Sequence, residues 1–165
     1  NSDLGNDFGN LVSRLLHMLH RYCDAVIPQT KTLAEEDQLL QQQWKDCSLK
    51  VLEAYQGLAF HSALECLWEM IRSLNRFIEI RAPWQLAKSP EHREKLETTL
   101  AILAEGLRLV TMALSPIMPE ISKTLWRALG LHSSRYHLER DMEWSHGLEG
   151  HRVEKPMVLF PRVEL

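Results

Sequence analysis

The sequence predicts an all-α protein: an antiparallel bundle of about five helices with an extended C-terminal tail. Three observations carry this. Apolar residues recur at helical spacing through most of the chain, Pro and Gly fall where each periodic run ends, and no run alternates with the two-residue period of a strand. The 165 residues form one predicted domain, 1–165, in which 131–165 are an irregular tail packing back on the bundle.

The first helix is predicted from about Ser2 to Val26. Ser2 or Asp3 caps it, and Leu4, Phe8, Leu11, Leu15, Met18, Leu19, Tyr22 and Val26 share a face. Pro28 stops it, because a residue before proline disfavours the helical region, and Gln29 to Thr32 form a short loop. The second helix, about Leu33 to Gln56, turns Leu39, Leu40, Trp44, Cys47, Val51, Leu52 and Tyr55 inward and ends at Gly57. The third, about Ala59 to Arg81, carries Ala63, Leu67, Met70, Ile71, Leu74, Phe77 and Ile78 and ends before Pro83. After a loop over Ala82 to Ser89, the pair Ser89-Pro90 opens a fourth helix that runs to about Leu114. A short fifth helix starts at Pro119 and stops at Gly130. His132 to Gly150 is polar and turn-like, and the tail from Lys155 packs back through Val158, Leu159 and Phe160.

Composition narrows the function. Hydrophobic residues make up 45% and charged residues 25%, which is ordinary for a globular protein. No apolar run approaches the roughly 20 residues of a membrane span, so no membrane partner is expected. The first ten residues lack the basic start and apolar stretch of a signal peptide, and a chain without an initiator Met reads as a piece of a longer one. The formal net charge of −3 argues against nucleic-acid binding by bulk electrostatics, so any RNA contact must be local. Cys23, Cys47 and Cys66 form no CxxC pair, which leaves free thiols in a reducing compartment. His17 and His20 lie three apart but have no third ligand at a usable spacing, so no metal site is expected. No nucleophile–base pattern or phosphate-cradling Gly-rich loop stands out, and no catalytic residue is assigned.

Two polar features remain. Asn10, Arg14, His17 and Arg21 form one stripe on the first helix, away from the apolar face. Most such stripes are plain solvated faces. An amide one turn from a guanidinium, however, matches the edge of an unpaired base: Arg donates to ring and carbonyl acceptors, and Asn accepts from an exocyclic amine. Trp84 follows Pro83 just past a helix end. It is either a core tryptophan or an open face for a stacked base, with Arg81 and Lys88 nearby as candidate phosphate contacts.

At these residues the sequence resembles the anticodon-binding domain of methionyl-tRNA synthetases, in the class I aminoacyl-tRNA synthetase family. The likeness lies in the opening from Asn1 through Asp7, Phe8 and Asn10 to Arg14, in Asn75-Arg76-Phe77-Ile78 followed by Ala82-Pro83-Trp84, in Leu114-Ser115-Pro116-Ile117-Met118-Pro119, and in the closing Leu159-Phe160-Pro161-Arg162-Val163. Phe77 departs from a frequent Tyr, and Gly130 to Gly150 matches no part of the pattern. The resemblance implies that Asn10 and Arg14 meet the first base of a CAU anticodon and that Trp84 holds an unstacked base. Arg21, Arg81 and Lys88 are then candidate RNA backbone contacts. It also implies methionine-specific tRNA and the enzyme's own catalytic domain as partners, a cytoplasmic location, and a ligase that attaches methionine to tRNA. ATP, and any zinc, would belong to the catalytic part, whose His-Ile-Gly-His-like and Lys-Met-Ser-Lys-Ser-like signatures this sequence lacks, so the chain is expected to need no cofactor and to have no activity alone. Two alternatives stay open: the equivalent domain of a cysteinyl, leucyl, isoleucyl or valyl enzyme, or a helical interaction module without RNA binding, in which Trp84 would be buried.

Overall fold

A computed structural model describes residues 2–132 and 137–156. Among them are five helices of ten residues or more: α1 (Ser2–Cys23), α2 (Glu35–Gln56), α3 (Phe60–Arg81), α5 (Arg93–Leu114) and α6 (Pro119–Ala128). The expected loop after α3 contains a single helical turn, α4 (Pro83–Leu86), and a 3₁₀ turn at Pro90–His92 precedes α5. Another single turn, α7 (Leu138–Asp141), interrupts the segment expected to be irregular.

The bundle is all-α as expected, but its neighbours are not arranged as a simple up-down ring. Asp7 meets Trp68, Arg72 and Asn75, and Arg14 meets Glu79, so α1 and α3 run parallel. Asp37 with Arg81 and Gln43 with Ser73 set α2 antiparallel to α3, and Arg81 with Thr99 and Leu74 against Gly106 set α5 antiparallel to α3. Both α1 and α2 pack on the α3–α5 pair. The link from α1 to α2 explains this. Asp24 and Ala25 take left-handed φ values of 51° and 61°, ending α1 earlier than the expected Val26, and the chain continues non-helically to Ala34. That link is longer than the predicted Gln29–Thr32 and crosses the end of the bundle.

The core sits around α5, which is buried almost continuously from Leu96 to Leu114. A helix buried all round reads as nearly unbroken apolar sequence rather than a stripe. At Gly106 a Cβ would lie 2.6 Å from Leu74 Cδ2, so glycine permits the α3–α5 approach. Trp44 is fully buried and donates to the Met142 carbonyl at 2.7 Å. Leu39, expected inside, is 64% exposed because Leu40 and Trp44 take the inward face of α2.

The chain does fold back, but within the described residues the work falls to Met142, Leu148 and Val153, all buried. The expected contacts through Val158, Leu159 and Phe160 lie outside the described residues. Val26 pairs with Arg152, the Ile27 amide donates to the His151 carbonyl at 2.9 Å, and the Val153 amide donates to the Ala25 carbonyl at 2.7 Å. Gly130 has φ 80°, and a Cβ there would lie 2.5 Å from the Arg152 carbonyl oxygen; both demands are met only by glycine.

Candidate nucleic-acid interface

Arg14, from the polar stripe of α1, meets the end of α3 and the turn that follows it. Helical period holds Arg14 one turn beyond the exposed Asn10. The parallel packing of α1 on α3 then brings Glu79 to Arg14, with Nη2 donating to Oε1 at 2.6 Å. Arg14 is 26% exposed and Glu79 62%. The same guanidinium lies 5.9 Å from the centre of the Trp84 ring, within cation–π range. Trp84 is 38% exposed, so the indole is not in the core.

Local chain chemistry places Trp84 there. Ala82 takes a left-handed conformation (φ 45°, ψ 66°) that ends α3, and Pro83 starts α4 with its fixed φ. Pro83 is buried and Leu86 packs on the core, so the turn is anchored while Trp84 between them faces outward.

The other expected contacts differ in exposure. Arg21 is exposed, with its guanidinium 5.8 Å from the Tyr22 ring centre, and Lys88 is exposed. Arg81 corrects the expectation of a phosphate contact. It is 5% exposed, paired with Asp37 and donating to Thr99 Oγ1 at 3.0 Å, and so is closed to RNA. Its position continues the apolar stripe through Leu74 and Ile78, and that period was the signal for burial. His17 bonds the Ser13 carbonyl at 2.8 Å, and His20 bonds the Glu154 carbonyl at 2.8 Å. Among the described residues no three His, Cys, Asp or Glu side chains gather in a way that would hold a metal ion, and no helix is long and apolar enough to cross a membrane.

Glu79 was missed by sequence reasoning. It stands 65 positions from Arg14 and no local spacing links the two. A second cluster was also unforeseen: Trp68 Nε1 donates to Asp7 Oδ2 at 2.9 Å, and the Arg72 guanidinium lies 5.2 Å from the Trp68 ring centre.

Comparison with known proteins fixes the family. Residues 37–151 match the model of the anticodon-binding domain of tRNA ligases. The chain belongs to that family. Along its whole length this anticodon-binding domain is 35% identical to part of a methionine–tRNA ligase of Fusobacterium nucleatum and 36% identical to part of one from Caldanaerobacter subterraneus, covering 26% of each. It therefore spans about a quarter of the length of those relatives. Its fold superposes on part of the apo form of Mycobacterium tuberculosis methionyl-tRNA synthetase with a TM-score of 0.89 at 27% identity, covering all of this chain and 33% of that one. The matched family model begins after α1, so Asn10 and Arg14 fall outside it, while the match to the Fusobacterium nucleatum relative spans their positions.

Proposed function

We propose that this domain reads the CAU anticodon of methionine-specific tRNA as part of a methionine–tRNA ligase. In that enzyme the domain would adjoin a catalytic part that attaches methionine to tRNA with ATP in the cytoplasm. The observation that carries the reading is the Arg14 guanidinium set 5.9 Å from the half-open ring of Trp84 and held there by Glu79.

The chemistry follows from the donor inventory. Arg14 has five N–H donors, and the Glu79 contact uses one of them. The remaining donors suit the carbonyl oxygen and ring nitrogen of a cytosine stacked against Trp84. Asn10, exposed one turn away, offers a carbonyl oxygen to the exocyclic amine. Uracil places an N–H where cytosine has an acceptor, so donor would meet donor. A polar group left unpaired in a partly desolvated site costs about 1–3 kcal/mol. Lys88 and Arg21 remain candidate phosphate contacts on the exposed surface, with no role in choosing the base.

The test uses the full-length ligase carrying Arg14→Ala or Trp84→Ala, charging tRNA with CAU and with first-base-substituted anticodons. Either change should lower kcat/KM for the CAU tRNA by roughly 10- to 100-fold and shrink the gap between the two tRNAs. Parental discrimination in both variants rejects the reading. Preference for another tRNA assigns the domain to a different ligase.

A further inference from the structure

Arg81 closes α3 with its side chain 2% exposed, facing an Asp37 that is 1% exposed. The guanidinium is hydrogen-bonded through both terminal nitrogens, while its buried Nε makes no hydrogen bond among the described residues. Nη2 donates to Asp37 Oδ1, Nη1 donates to Thr99 Oγ1 at 3.0 Å, Nε lies 3.8 Å from Glu36, and the Phe77 ring centre is 4.8 Å away. The partners are fixed in turn. Asp37 Oδ2 accepts the Ala34 amide at 2.8 Å, and the Thr99 hydroxyl donates to the Lys95 carbonyl at 2.7 Å. The starts of α2 and α5 are thereby tied to the end of α3 at one point.

A buried ion pair is an inefficient source of stability, because apolar residues of similar volume often serve equally well. What it supplies is geometry, and its place in the chain shows where that geometry is used. Two positions before Arg81 stands Glu79, the partner of Arg14. Three positions after it stands Trp84, beyond the left-handed turn at Ala82. Both sides of the recognition pair therefore hang on the segment that Arg81 pins.

We infer that the Arg81–Asp37–Thr99 clamp is a positioning device: it fixes the end of α3 so that Arg14, through Glu79, and Trp84 face the same nucleotide. This rests on the reading of Arg14 and Trp84 given above. It gives Arg81 a part in anticodon selection without contact to RNA.

The experiment uses the full-length ligase labelled with 5-fluorotryptophan, in which the ¹⁹F resonance lost on Trp84→Phe identifies position 84. The double variant Asp37→Leu, Arg81→Met removes the charges while keeping volume. The expected result is a shifted or split Trp84 resonance, with discrimination between CAU and a substituted anticodon reduced about 10-fold. The change should appear in KM for tRNA, with methionine activation unaltered. Thr99→Val, which removes only the hydroxyl that accepts from Arg81 and donates to the Lys95 carbonyl, carries the same test at about 3-fold if the double variant fails to fold. A folded variant with an unmoved resonance overturns the inference, whether or not discrimination changes. A moved resonance with parental discrimination, found also in Trp84→Ala, leaves the clamp standing and rejects the anticodon reading instead.

Discussion

Burial gives several side chains of this domain chemistry that their residue type does not predict. Burial pushes the Cys47 thiol up to about 12, and Cys66 beside it adds to the shift. Native protein at pH 8 should leave Cys47 unlabelled by iodoacetamide, while urea-unfolded protein labels it fully; equal labelling in both states refutes this. Tyr55 is likewise pushed up to about 12 by burial, and its hydroxyl donates to the Ala113 carbonyl at 2.5 Å. Tyr55→Phe should cost about 1 kcal/mol in urea unfolding, because the hydrogen bond is lost while the ring packing is kept. Residue-level reading of the sequence was uneven for the same reason. Helical period places Asn10 and Arg14 on one outward stripe, since the geometry of a single helix fixes it. Arg81 was misplaced when its charge was given more weight than its period, and Glu79 was out of reach because its meaning depends on a residue in another helix.

At the scale of elements, helix ends were legible where Pro or Gly marks them. The stops at Gln56 and Arg81 fall where expected, whereas α1 ends three residues early because Asp24 and Ala25 turn left-handed, a conformation that neither residue announces. The segment after α7 is held to α5 by a buried pair: Arg108 is bound by Glu105 and donates to the Glu143 carbonyl at 3.2 Å, and Ser145 Oγ donates to Glu105 Oε2 at 3.3 Å. Desolvation raises the Glu105 carboxyl above its ordinary 4.5, although Arg108 and Ser145 pull the other way. In the window between 4.5 and the raised value the folded state holds a proton that the unfolded state has released. This group's contribution is therefore complete below the unfolded value and is lost as pH rises through the folded one. Urea unfolding between pH 4.5 and 7 should show that downward component in the parent and lose it in Glu105→Gln. An identical slope in the variant would show that another group is responsible.

For the whole molecule, the fold class followed from period and stops, but the order of neighbours did not. Which helices touch depends on how α5 is enclosed, and its near-continuous burial comes from residues of α1, α2, α3 and α6 that no local window brings together. The α3–α5 contact is the tightest test of that enclosure. Gly106→Ala adds a methyl that must displace the fully buried Leu74, at about 1–3 kcal/mol. The better helix propensity of Ala returns about 1 kcal/mol. Thermal melts should therefore show a modest net loss, and a gain would mean that α3 and α5 separate more easily than their packing indicates.

The Arg14–Trp84 pair proposed to hold the base is drawn from two stretches of chain with a complete helix between them. Opening the backbone at the exposed Gly57–Leu58 turn would place Arg14 on one fragment and both Glu79 and Trp84 on the other. Neither half alone carries the Arg14–Trp84 pair, so no short peptide copied from this domain reproduces it. Reassociation of the halves becomes a reporter in its own right: on the proposed reading, RNA recognition returns only when two separately expressed pieces are joined.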